Sequence, residues 1–94
     1  MRYYTRQQIA ELLETDDGFV VALESEEVIV ADAPPGSPGE YSERMLERVR
    51  VAENLVHELD VNMAGAAVIV RMREELAELR KRVRDLAREL ERRG

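Results

Sequence analysis

The chain has no cysteine, no tryptophan, one phenylalanine and one histidine among its 94 residues. Without cysteine there is no disulfide, no thiolate nucleophile and no cysteine-ligated metal, which suits a reducing compartment. The single histidine, His57, removes the histidine pairs on which many zinc sites rest and leaves few options for general acid–base work. Glu53, His57 and Asp60 fall at helical spacing, yet without a second histidine or a cysteine they are a poor ligand set, so no metal is expected. No P-loop or dinucleotide fingerprint is present, because Gly36 and Gly39 stand among Pro34, Pro35 and Pro38 in a turn-forming stretch. No enzymatic activity and no cofactor are expected. No apolar run is long enough for a signal peptide or a membrane span, and the expectation is a soluble, cytoplasmic protein.

A further absence is directional. Between Arg6 and Arg44 there is no lysine or arginine. Residues 1–40 carry 2 basic and 9 acidic side chains, whereas residues 71–94 carry 9 basic and 6 acidic ones. The net charge of −6 is therefore concentrated in an acidic N-terminal half, followed by a mildly basic tail.

What is present in the tail is a heptad seam. Ile69, Met72, Leu76, Leu79, Val83, Leu86 and Leu90 alternate steps of three and four, with charged residues filling most positions between. No proline interrupts residues 63–93, a helix of roughly 46 Å at 1.5 Å per residue. Such a stripe is too narrow and too long for a domain of this size to cover. The simplest partner is the same helix of a second copy, which predicts a homodimer. The apolar composition of the seam leaves the direction of the second helix open.

The rest reads as a small head. Thr5 to Gln8 fits a capping box that starts a helix over residues 6–14, with Ile9, Leu12 and Leu13 on one face. Thr15, Asp16 and Asp17 offer an N-cap for a second short helix ending near Ser25, and two such helices outline a helix-turn-helix. Val28-Ile29-Val30 predicts a strand, with Tyr41 returning beside it after the proline-rich turn as a small wing. Ser42 caps a third helix carrying Met45, Leu46, Val49, Ala52, Leu55, Val56 and Leu59 toward the core and ending near Asp60. Asn62 caps the long helix. The division is a head over residues 1–60 and a dimerisation helix over 61–94.

Two segments add a resemblance that covers nearly the whole chain. Tyr4-Thr5 with Ile9-Ala10-Glu11-Leu12-Leu13 resembles the winged-helix head of MerR-like proteins. Tyr41-Ser42-Glu43-Arg44 with Leu59-Asp60-Val61-Asn62-Met63-Ala64-Gly65-Ala66 is similar to a stretch shared by the heat-shock repressor HspR and the chaperone modulator CbpM. The implied fold is mainly α: a degenerate MerR-like winged helix-turn-helix head with a small β wing, then a long coiled-coil helix. The resemblance also implies that paired tails run antiparallel.

The two branches imply different functions. HspR-like proteins bind operator DNA as transcriptional regulators. CbpM-like proteins bind the J-domain of a DnaJ/CbpA-like cochaperone and restrain its stimulation of Hsp70. Charge separates them, since reading a major groove requires Arg, Lys, Asn or Gln on the second helix and cations on the flanking phosphates. Here that helix carries Phe19 to Leu23 where DNA-binding members usually place Arg and Tyr, Glu26 and Glu27 stand where a Leu and a Gly are usual, and Glu40 replaces a common Arg. DNA binding by the head is thus disfavoured. The resemblance implies a J-domain partner with a basic face, for which we assign Asp16, Asp17, Phe19, Glu24, Glu26 and Glu27 as the contact surface, Phe19 serving as its apolar anchor. In the tail, Arg80 to Arg84 read as solvated seam flanks rather than as a nucleic-acid patch.

Overall fold

The computed structural model describes residues 2–94, and about two-thirds of them are helical. In chain order the elements are β1 (Tyr3–Tyr4), α1 (Arg6–Leu12), α2 (Asp17–Ser25), β2 (Tyr41–Ser42), α3 (Glu43–His57) and α4 (Met63–Arg93). Each helix begins where a polar side chain satisfies an otherwise free amide. Thr5 and Gln8 form the reciprocal capping box of α1, Asp16 caps α2, Ser42 caps α3 and Asn62 caps α4. Three helices or turns end at residues with left-handed backbone: Glu14 (φ 53°), Glu27 (φ 58°) and Asp60 (φ 55°). These stops shorten two expected helices. Helix α1 ends at Leu12 and leaves that side chain 59% exposed, while α3 ends at His57 and leaves Leu59 62% exposed, so neither leucine joins the core.

The core packs Ile9 of α1, Val20 and Leu23 of α2, Ile29 of the following segment, and Met45 and Val49 of α3, all with almost no solvent contact. Spacings of three and four explain the helical members, since Met45, Val49 and Ala52 share one side of α3. Ala66 and Val70 extend that packing onto the start of α4.

The expected strand over Val28–Val30 does not form. The only sheet among the described residues pairs β1 with β2 antiparallel, Tyr3 opposite Ser42 and Tyr4 opposite Tyr41. Val28 and Ile29 are both buried, whereas a strand would turn successive side chains to opposite faces. Their backbone is held by other means. The Val28 amide donates to the Leu23 carbonyl at the end of α2, and the Val28 carbonyl accepts from Arg48 at 3.0 Å. The following loop closes where the amides of Asp32 and Ala33 reach the Glu40 carbonyl. Gly39 permits the close approach of β1, because a Cβ there would lie 2.3 Å from the Tyr4 carbonyl carbon.

The molecule spans 54 × 36 × 20 Å with a radius of gyration of 16.1 Å, against about 12–13 Å for a compact chain of this length. The excess belongs to α4, whose second half projects beyond the head.

Candidate functional site

The six residues assigned to a partner surface separate by role. Asp16 is occupied at the α2 cap, its carboxylate accepting from the Phe19 amide at 2.7 Å. Asp17, in the first turn of α2, accepts from Arg6 at 3.2 Å. Glu24 accepts from the Tyr41 hydroxyl at 2.5 Å, and burial, followed by this carboxylate, holds the phenol above its ordinary pKa. A comparable bond joins the Tyr4 hydroxyl to Glu43 at 2.6 Å, which raises that phenol too.

Phe19 is the correction. It is 8% exposed and lies against the His57 ring, with centroids 4.6 Å apart and planes tilted by 43°. Its position three residues after the cap points it inward with Val20 and Leu23, so it anchors α2 to the head and not a partner to the surface. His57 is engaged on its other side by Glu53. No group of three His, Cys, Asp or Glu among the described residues converges as a metal site. Glu26 and Glu27, at the corner where α2 ends, are exposed and form no ion pair among the described residues. Asp17 stands at the other end of α2, where Arg6 pairs with it.

A charged clasp was not legible in the sequence. Arg44 and Arg48, one turn apart on α3, both reach Glu74 of α4, at 2.9 Å for Arg44 and 2.8 Å for the Arg48 Nε. Arg48 also holds the Val28 carbonyl, so one guanidinium ties α3, α4 and the segment after α2. Hydrogen bonding from Arg48 pulls the Glu74 carboxylate down to about 2, with Arg44 assisting and partial burial opposing. The signal was the four-residue step Ala66, Val70, Glu74, which continues the α3-facing side of α4 into an acid. Above this clasp the helices diverge into an open cleft of about 930 Å³, bordered by Arg44, Arg48, Arg71, Glu74 and Lys81.

The seam residues form the second surface. Met72, Leu76, Leu79, Val83, Leu86 and Leu90 are 46–68% exposed in one row, and Ile69 is half-buried at the head end. At 3.6 residues per turn this row lies on roughly the opposite side of α4 from Ala66, Val70 and Glu74. The head therefore leaves it uncovered. No described helix is long and apolar enough to cross a membrane. No protein-family model, curated protein or solved structure matches the chain.

Proposed function

We propose that this chain is a homodimeric adaptor that modulates a chaperone: α4 pairs with a second copy as a coiled coil, and the head, a degenerate winged helix-turn-helix, docks on the J-domain of a DnaJ-like cochaperone. Occupying that domain would lower its stimulation of the Hsp70 partner by competition. The observation that carries the dimer is the uncovered row from Met72 to Leu90. Complete burial of a Leu or Met side chain is worth about 1.5–3 kcal/mol, and side chains already half covered retain about half of that to gain. A seam of six such residues on each helix supplies a sufficient drive, while the charged flanks keep it narrow.

The partner assignment is supported by the acidic corner of Glu26 and Glu27 at the end of α2 and by the absence of cations from α2. A basic J-domain face would be drawn to this corner; the phosphates of DNA would be repelled. Calorimetric titration with the J-domain of the cochaperone from the same cell should give saturable binding, and duplex DNA in a parallel titration should give none. Binding to DNA alone would return the head to the transcriptional regulators and sink the adaptor reading.

A further inference from the structure

The open cleft of about 930 Å³ beside the Glu74 clasp reverses the charge of the rest of the chain. Its lining holds six cations and three carboxylates, a net of +3, so the remainder of a chain at −6 sums to −9. The carboxylates do not neutralise the cations evenly. Glu74 is shared by Arg44 and Arg48, and Glu78 lies 3.8 Å from Arg82. Arg71, Lys81 and Arg84 are exposed and form no ion pair or side-chain hydrogen bond among the described residues, with only Glu75 left to oppose them. A concave wall lined by like charges focuses their field into the space between.

These cations are not flanks of the apolar seam. With Ile69, Leu76, Val83 and Leu90 at a, Arg71 falls at c, Lys81 at f and Arg84 at b, the outer positions of the heptad. At 100° per residue they lie roughly 130–180° around α4 from the seam. A second copy on the seam therefore leaves the cleft open.

We infer that the cleft is a docking site for an acidic peptide segment, a short run of Asp and Glu on a partner protein, with Arg71, Lys81, Arg84 and the exposed Arg44 receiving its carboxylates. Arg71 and Arg84 are about 20 Å apart along α4, a span that about six residues of extended chain cover. Three of the four cations are arginines, whose planar forks match a carboxylate through two parallel hydrogen bonds.

The lining argues against other anions. A cofactor pocket is mostly apolar, whereas Ala77 and Leu79 are the only uncharged residues that line this cleft. No aromatic or histidine lines it, so the bases of a single strand have no surface on which to stack. A duplex is repelled for a different reason: its phosphates continue past the cleft and meet a remainder at −9. An acidic segment of a few residues ends within the cleft and escapes that repulsion.

The cleft also adjoins the acidic corner. Glu27 immediately precedes the Val28 carbonyl that Arg48 holds at 3.0 Å, and Arg48 is part of the cleft wall. Opposite charges thus stand side by side on one surface. A partner that carries an acidic segment next to a basic face engages both, and its orientation is then determined, because turning it around brings like charges together.

Fluorescence anisotropy of a labelled hexaglutamate peptide, titrated with the full chain at low salt, tests the site. Saturable binding is expected. Lys81→Glu with Arg84→Glu should weaken it roughly tenfold, whereas Arg88→Glu with Arg92→Glu, the same change of total charge on the projecting tip, should leave it within about twofold. Glu75→Gln removes the one unpaired carboxylate of the lining and should tighten binding about threefold. Circular dichroism checks that each variant keeps its helices; if the double reversal disturbs them, Glu75→Gln decides alone, and unaltered affinity there overturns the site. No saturable binding to the parent, or an equal loss in the two double variants, overturns it as well. A single-stranded oligonucleotide that binds more tightly than the peptide, and is lost with Lys81 and Arg84, gives the cleft to nucleic acid and sinks the acidic-peptide assignment. No cochaperone enters this titration, so failure here leaves the adaptor reading standing, and failure of J-domain docking leaves the cleft standing.

Discussion

The clasp at Glu74 is the perturbation whose size follows most directly from the structure. Replacing Glu74 with Gln keeps the shape and removes the charge that Arg44 and Arg48 share. The fall of the carboxylate from 4.5 to about 2 corresponds to roughly 3 kcal/mol of linkage to folding. With the Glu74 side chain 30% open to solvent and Arg44 65% open, screening reduces this to about 2 kcal/mol. For a chain of this length that is a fall in Tm of roughly 8–16 °C. The sign of the pH dependence is determined because the folded-state value is depressed. The contribution is fully present above about 4.5 and is lost as pH falls through about 2. Urea unfolding of the parent and of Glu74→Gln at one fixed protein concentration, from pH 7 downward, reads the difference directly. The gap should be about 2 kcal/mol near neutrality, narrow below pH 4.5 and close toward pH 2. A gap that is absent at pH 7, or constant across the range, refutes the clasp as an electrostatic element.

Three other outcomes are expected. Leu79→Asp together with Leu86→Asp should convert the dimer to a monomer of unchanged head structure, read by light scattering and near-ultraviolet circular dichroism; an unchanged dimer mass would refute the seam. Gly39→Ala should destabilise the head by about 2–4 kcal/mol in urea, because the new methyl group meets the Tyr4 backbone at 2.3–2.5 Å and no flexible side chain can yield. Glu26→Lys with Glu27→Lys should weaken J-domain binding at least tenfold without lowering Tm by more than a few degrees, since neither carboxylate forms an ion pair among the described residues; unaltered affinity would move the docking face elsewhere.

Local signals were reliable wherever a single short-range interaction decides the outcome. Three helix starts stand at the capping residue read from the sequence and that of α2 at Asp16, one of three candidates, because a cap needs only a side chain and an amide three residues away. The long helix follows from a run of residues that no proline interrupts, and the charges between its seam residues keep the rest of its second half in solvent. The helix ends were less legible. Left-handed residues at Glu14 and Asp60 depend on how the chain turns to reach its next packing partner, and no glycine marks them.

Tertiary structure alone decided the rest. Val28-Ile29-Val30 has strand propensity, yet burial of two successive side chains and the grip of Arg48 hold it as an irregular segment, while Tyr3–Tyr4 takes the place beside Tyr41. Phe19 appears in the sequence as an apolar residue among acids, and only packing against His57 shows that it faces inward. Acidity and the heptad period were determined by sequence alone, because charge and periodicity are properties of single residues and fixed spacings. Which acids remain free for a partner depended on Tyr41, Arg6, Arg44 and Arg48, residues remote in sequence that folding brings within hydrogen-bond reach.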